Sequence, residues 1–146
     1  MFENESKFPD PKEYVCPPED AKDAEGMTLY KFNNKKKIPS KYMEPMIIKG
    51  KSEPKNNKER CRMCGHSVFL SYGFAKDLQD KSKFAKASNL KWKYVYKIKG
   101  GKNSKILSTP SERFKNHHTY WHFGGKLTAK DYEYVCDLTS DETMEG

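Results

Sequence analysis

Histidines and aromatic residues are concentrated in one short segment of this chain. Residues Asn116 to Phe123 read Asn-His-His-Thr-Tyr-Trp-His-Phe. The β-forming aromatics predict a strand, on which His118, Tyr120 and His122 share one face while the alternate residues face the core. Imidazoles titrate near neutral pH, and a phenol can hydrogen-bond or stack on a base. These side chains could therefore cleave RNA by acid–base transfer without a metal, or form a recognition surface.

A second candidate site is the sequence Cys-Arg-Met-Cys-Gly-His at residues 61–66. Two thiolates separated by two residues can bind one tetrahedral Zn²⁺, and the glycine lets the backbone turn beneath the ion. Cys61, Cys64 and His66 are therefore candidate zinc ligands, completed by Cys16, Cys136 or a downstream histidine. The alternative is a pair of reduced thiols, because a redox Cys-x-x-Cys normally opens a helix after a strand. A disulfide between Cys16 and Cys136 would require an oxidising compartment.

Charge is distributed in three blocks along the chain. Residues 1–26 carry three Lys against eight acidic residues, and residues 127–146 carry one Lys against six. Residues 27–126 carry 24 Lys or Arg against six acidic residues, a net charge of +18 within an overall +8. Such a body attracts polyanions and acidic protein surfaces alike. The candidate contacts with a partner are Lys35, Lys36, Lys37, Arg60, Arg62, Arg113, Lys115, His118 and Tyr120.

Lysines alternate with aromatic and apolar residues in the segment 90–99, which predicts a strand with one cationic face. That face could follow the phosphates of a nucleic acid. However, the triplet Glu133, Val135 and Asp137 has the same spacing as Lys93, Val95 and Lys97, with the charges reversed. Opposite charges that face each other across neighbouring strands stabilise their register. We therefore expect residues 132–138 to pair beside residues 92–98.

The order of the predicted elements favours a single α+β domain. Residues 1–26, with four prolines among acidic residues, are expected to form an arm beside the basic domain 27–146, whose C-terminal strand and tail are acidic. We expect one curved, mostly antiparallel sheet with a helix over about 72–88 packed on it. A hairpin should join 90–99 to 105–109. The other expected elements are strands at 27–32, 116–123 and 132–138, a short strand or bend at 42–48 and a polar loop at 50–59.

Composition and the first residues argue against three classes of protein. Aromatic residues make up 13% of the chain, which argues against wholesale disorder. No stretch approaches the roughly 18 apolar residues of a membrane span. The acidic opening Met1-Phe-Glu-Asn-Glu5 has neither the basic region nor the apolar segment of a secretion signal. We therefore expect a cytoplasmic protein.

The tripeptide Leu29-Tyr30-Lys31 is similar to the Leu-Tyr-Arg of the first strand in some ADP-ribosyltransferase folds. In that family the basic residue approaches NAD, so the resemblance implies a transferase. It covers three residues, has Lys in place of Arg, and is not accompanied by an identifiable catalytic Glu.

The sequence as a whole predicts a small cytoplasmic binding protein. Its basic body would engage nucleic acid, or the acidic or nucleic-acid-binding surface of another protein, as would suit an accessory protein or inhibitor from a phage or mobile element. The first alternative is an enzyme, a metal-independent nuclease or a nucleotidyl or ADP-ribosyl transferase that uses the segment His117–Phe123. The second is a structural module stabilised by a zinc knuckle.

Overall fold

The computed structural model describes residues 1–38, 40–75 and 93–138. The strands in these ranges are β1 (Lys22–Asp23), β2 (Thr28–Asn33), β3 (His66–Val68), β4 (Tyr94–Lys99), β5 (Lys105–Ser108), β6 (His118–Trp121) and β7 (Glu133–Asp137). The helices are α1 (Met46–Lys49) and α2 (Asn57–Met63), and short 3₁₀ turns occur at Glu5–Lys7, Lys41–Met43 and Ala129–Asp131. The broad α+β class is thereby confirmed. No helix in these ranges has the length and apolarity needed to cross a membrane.

The strands form two antiparallel sheets instead of the expected single one. One sheet has the order β1-β5-β6-β3 and the other has the order β2-β4-β7. Tyr30 in β2 and Phe69, just after β3, exchange two backbone hydrogen bonds of 2.8 and 2.9 Å, so the sheets are joined there. The connections 24–27 and 100–104 also carry the chain from one sheet to the other.

The core draws side chains from both sheets. One buried cluster contains Leu29 and Ile98 from the second sheet, together with Val68, Ile106 and Tyr120 from the first. A second cluster is built on aromatic residues and contains Phe32, Phe69, Tyr72, Ala75, Val95 and Leu138. Burying an aliphatic or Phe side chain contributes about 1.5–3 kcal/mol, so the first cluster packs the two sheets against each other.

Strand β7 lies beside β4, which confirms the pairing predicted from their complementary charges. Lys97 faces Glu133, and the Lys97 Nζ and Glu133 Oε2 atoms are 3.1 Å apart. The register shifts between Val95 and Tyr96, so that Val95 lies opposite Cys136. The direct pairing of Val135 with Val95 that the matched spacing implies is therefore not formed, because β7 has one extra residue at this point. Val95 itself is buried in the core.

The expected hairpin between β4 and β5 is also wrong. Strand β4 pairs with β2 and β7, whereas β5 pairs with β1 and β6. The connection that starts at Gly100 crosses between the sheets, and Ala24 lies against it. A Cβ on Gly100 would be 1.7 Å from the carbonyl oxygen of Ala24, so this close approach of two backbones requires glycine.

Two segments expected to be extended or irregular are partly helical. The segment 42–48 contains the end of a 3₁₀ turn and most of α1, so a strand there is excluded. Helix α2 begins within the expected polar loop because Asn56 caps it, its Oδ1 accepting a hydrogen bond of 2.8 Å from the Glu59 N–H. Of the helix predicted over 72–88, residues 73–75 are helical. Its remaining residues, 76–88, lie outside the described ones.

The N-terminal residues lie against the basic domain. Phe2 forms a β-bridge with Phe123, and the Glu3 N–H donates to the carbonyl oxygen of His122 at 2.8 Å. A disulfide joins Cys16 to Cys61 in α2. These contacts carry the side chain of Glu3 into the interior of the domain.

Candidate functional site

A cleft of about 240 Å³ opens between strands β2 and β3 and the segment 42–49. Phe32, Phe69 and Phe114 supply aromatic walls, and Lys31 and Lys49 supply the cations. The other lining residues are Tyr42, Met43, Glu44, Pro45, Met46, Ser67 and His117. Apolar walls with a few convergent polar groups are typical of a ligand-binding site.

Lys31 is buried at this cleft, with 4% of its surface exposed. Its Nζ donates hydrogen bonds of 2.7 Å to the carbonyl oxygen of Met43 and to Nδ1 of His66. The other ring nitrogen of His66, Nε2, is 2.8 Å from Oε1 of Glu3. An ammonium group cannot accept a hydrogen bond, so we assign the His66 proton to Nε2, from which it is donated to Glu3. Glu3, His66 and Lys31 thus form a continuous buried chain, which we call the buried triad.

Burial sets the charge states of the buried triad. It lowers the pKa of Lys31 to about 7, and the charge of nearby Lys49 acts in the same direction. It also lowers the pKa of His66 to about 4, so the imidazole is neutral at physiological pH. Burial alone would raise the pKa of Glu3, but its interactions with His66, Leu127 and His122 together outweigh burial and leave that pKa below 4.5. Lys31 is therefore the member of the triad that changes charge near neutral pH.

The outer part of the cleft is lined or flanked by further cations. Lys49 Nζ lies 5.0 Å from the ring centroid of Tyr42, and its pKa is lowered by burial and by Lys51. Arg113 Cζ lies 5.3 Å from the ring centroid of Phe114. Both distances are within the range of cation–π contacts. A lysine or arginine therefore lies over each of two rings that line the cleft.

His117, which lines the cleft, lies close to further basic residues. Burial lowers its pKa, and Arg62 is close enough to lower it further. Its Nδ1 donates to the carbonyl oxygen of Thr109 at 3.1 Å, and its Nε2 accepts from the Ser67 hydroxyl at 2.9 Å. Lys115 is exposed two residues before it. We call Arg62, Arg113 and Lys115 the cationic rim.

Among the predicted contacts, Arg113 packs on Phe114 and Arg62 is close to His117, and both of these partners line the cleft. Lys115 lies between these two lining residues in the chain, while the other predicted contacts lie elsewhere. Lys35, Lys36 and Lys37 are exposed after β2 and do not line it. The Lys36 carbonyl accepts a hydrogen bond from Tyr96, and its Nζ lies 5.0 Å from the ring centroid of Tyr134. Arg60 is in α2, and its Nε donates to the Lys7 carbonyl at 2.8 Å.

The predicted face of His118, Tyr120 and His122 is not an exposed surface. Tyr120 is 0% exposed, because that side of β6 packs against the other sheet. Its hydroxyl lies 2.7 Å from Nδ1 of half-buried His122. His118 is also half-buried, and its Nδ1 donates to the Asn116 carbonyl at 2.9 Å. Tyr120 was expected to contact a partner or substrate, but it lies in the core, and this expectation is corrected. The enzyme alternative therefore has no exposed phenol between His118 and His122.

The predicted zinc ligands have other partners. Cys61 is disulfide-bonded to Cys16, and the Cys64 thiol donates to the Lys7 carbonyl at 3.5 Å. Both ring nitrogens of His66 are used within the buried triad. In the described part of the chain, no three His, Cys, Asp or Glu side chains are grouped so that they could hold a metal ion. This arrangement does not fit a zinc knuckle, and zinc binding by the reduced protein stays an untested prediction.

Sequence reasoning missed the buried triad and the role of Lys49. A signal for Lys31 was present, because it alternates with Leu29 and Asn33 on one face of β2, and all three are buried. A lysine at an inward position of a strand indicates a buried charge. No comparable signal marks Glu3, whose partner His66 is 63 residues away.

Comparison with protein-family models, with curated proteins and with solved structures found no match. The proposals below therefore depend on the residues of this chain alone.

Proposed function

We propose that this protein binds single-stranded nucleic acid on the cationic rim around the cleft. The observation that carries the proposal is that carboxylates do not neutralise the rim. Among the described residues, Lys and Arg form two ion pairs with carboxylates, Lys97 with Glu133 and Lys126 with Glu44. Neither pair includes a residue of the rim. The strong positive charge of the body is therefore available there to an anion.

Several carboxylates of the acidic N-terminal arm have partners other than the cationic rim. Glu3 binds His66, Glu5 accepts from the Phe2 N–H, and Asp10 accepts from the Lys12 N–H. Glu13 accepts from Asn57 at 3.3 Å. These contacts leave the arm without an ion pair to the rim among the described residues.

The pairing of cations with aromatic rings favours nucleic acid over an acidic protein surface. Proteins that bind single strands combine a basic groove with rings on which bases stack, each base contributing about 1–3 kcal/mol. Arg113 with Phe114 and Lys49 with Tyr42 provide both components at one cleft. An acidic protein surface would be attracted mainly by the charges, whereas bases would also stack on the rings.

Salt-dependent binding of oligonucleotides tests this proposal. We would measure the affinity of labelled single-stranded RNA and DNA over a range of salt concentrations, for the wild type and for Arg62→Gln/Arg113→Gln/Lys115→Gln. The variant should bind about tenfold more weakly, and its log–log salt slope should be smaller by about 2, because each lost phosphate contact on a single strand removes about 0.7.

A variant with the same change of charge at other exposed positions is the matched control. Lys22→Gln/Lys102→Gln/Lys130→Gln fulfils this condition, and we expect its affinity to stay within about threefold of the wild type. Equal losses in both triple variants would contradict a site at the rim. A complex insensitive to salt, or binding of an acidic protein but of no oligonucleotide, would reject nucleic acid as the partner.

The cellular compartment belongs to the same proposal. We infer a cytoplasmic location, and thiols in the cytosol are kept reduced. The disulfide between Cys16 and Cys61 should then be open in the cell. Alkylation of thiols at the moment of lysis, followed by mass spectrometry, should find both cysteines modified. Protection of both from alkylation until a reductant is added would contradict the cytoplasmic location.

A further inference from the structure

The interior of the cleft has a positive charge of its own, distinct from the rim outside it. Lys31 and Lys49 both line the cleft, and they are close enough that the charge of Lys49 affects Lys31. Glu44 is the carboxylate among the described lining residues, and its Oε1 lies 3.4 Å from Lys126 Nζ. Two mutually repelling ammonium groups in one confined space provide a site for an anion, which would be attracted to both.

Lys31 has a hydrogen-bond donor left for such an anion. A protonated lysine carries three N–H donors. Two of these are directed to the Met43 carbonyl and to His66, both at 2.7 Å. The third is not used by any described protein group. Because Lys31 is buried and its Nζ is held on two sides, the third donor has a defined direction and does not need to be ordered when a ligand binds.

The size and walls of the cleft limit what the anion can be attached to. A volume of about 240 Å³ lies below the roughly 300–1,000 Å³ of most ligand pockets, so the cleft can hold no more than one nucleotide unit. Phe32 and Phe69, which are almost fully buried, and half-buried Phe114, which meets Phe69 edge to face at 6.1 Å, make the inner walls apolar, as a base requires. His117 and Ser67 add polar groups that could recognise the edge of a base.

We propose that this cleft binds one nucleoside monophosphate unit, with the phosphate held by Lys31 and Lys49 and the base against the phenylalanine walls. The inference rests on the proposed function, because a bound strand would supply the unit at its end or as an unstacked base. A free mononucleotide has the same phosphate and base as this unit, so the experiment tests both an oligonucleotide and a mononucleotide.

Binding should have a characteristic dependence on pH. The groups that act electrostatically on Lys31 are Lys49, Glu3 and Glu44, with neutral His66 as its hydrogen-bond partner. A phosphate dianion held by Lys31 favours its protonated form. Between about pH 7 and about pH 9 the phosphate charge is constant, since its second pKa is about 6. The affinity for a mononucleotide should therefore fall over this range as Lys31 loses its proton.

The test compares AMP, adenosine and inorganic phosphate by isothermal titration calorimetry on the full chain. We expect AMP to bind about tenfold or more tightly than either fragment, because its phosphate and base are held together. Lys49→Gln should weaken AMP binding about tenfold, whereas the matched control Lys55→Gln, at an exposed position, should stay within about twofold. Lys31→Met should abolish the pH dependence, and Lys49→Gln decides the outcome alone if Lys31→Met fails to fold.

Oligonucleotide binding separates failure of this inference from failure of the proposed function. If oligonucleotides bind with the expected salt slope, but AMP does not bind and Lys49→Gln leaves their affinity unchanged, the nucleotide site is wrong and the rim remains. If AMP binds at the cleft and oligonucleotides do not, the site is correct and its source is a free nucleotide. If neither binds, both proposals are overturned.

Discussion

The substitution Lys31→Met tests whether the buried lysine titrates as its surroundings indicate. Methionine keeps a similar unbranched side chain and removes the charge. In the wild type, burial lowers the pKa of Lys31 from 10.5 to about 7. At about 1.4 kcal/mol per pKa unit this corresponds to a penalty of about 5 kcal/mol, present in full below the folded-state pKa, where Lys31 is charged in both states.

The sign of the pH dependence follows from proton binding. Between about pH 7 and about pH 10 the unfolded chain keeps a proton that folded Lys31 has lost, so the free energy of unfolding rises with pH. With folded and unfolded pKa values of about 7 and 10.5, the rise from about pH 7 to about pH 9 amounts to about 2 kcal/mol. Above that range the raised pKa values of Cys64 and Tyr120 act in the opposite direction.

Urea unfolding of the two proteins at a series of pH values measures this difference. The free energy of unfolding of the wild type minus that of Lys31→Met should increase by about 2 kcal/mol from about pH 7 to about pH 9. The absolute difference at one pH also includes the loss of two hydrogen bonds, to Met43 and His66. The change with pH does not include that loss. A difference that stays constant over the range would refute the reasoning.

Three further predictions concern the fold. Gly100→Ala should destabilise the protein by more than about 3 kcal/mol in urea unfolding, since its Cβ would collide with the backbone of Ala24; a loss below about 1 kcal/mol would contradict the close approach. Cys16→Ser should lower the stability of the oxidised protein by about 4 kcal/mol because the bond to Cys61 spans 45 residues, and should have no such effect in reductant. Glu133→Gln should cost under about 1 kcal/mol, because its ion pair is largely exposed; a larger loss would show that this pair determines the register.

Strand positions could be predicted because period-two alternation is a local property. The segment predicted at 27–32 covers β2 except for its last residue, and the segments predicted at 116–123 and 132–138 contain β6 and β7. The pairing of β4 with β7 could also be predicted, since opposite charges at matching spacing appear in the sequence itself. The partner of β5 could not. Gly100 and Gly101 are compatible with a tight hairpin turn and with a crossing between sheets, and which one forms depends on how closely Ala24 approaches.

Some residues of the candidate site could likewise be predicted from the sequence, and others could not. Arg62, Arg113 and Lys115 could be listed from the sequence because exposed cations of a basic body are contacts by default. The buried hydrogen-bonded chain of Lys31, His66 and Glu3 could not be predicted. His66 links Lys31 to Glu3 in space but lies far from both in sequence. Conversely, Tyr120 was predicted as a contact because alternation alone does not show that both faces of β6 are covered.

The two pH dependences expected of Lys31 have opposite signs and one cause. From about pH 7 to about pH 9 the free protein should become more stable as Lys31 loses its proton, while its affinity for a nucleotide phosphate should fall. A structural role for the buried triad would give the first effect without the second. A phosphate bound only by the cationic rim would also leave the second effect out, because it would not contact Lys31. Loss of both effects in Lys31→Met, with the salt dependence of oligonucleotide binding retained, would assign them to this one amine and connect the cost of burying it to the binding of an anion.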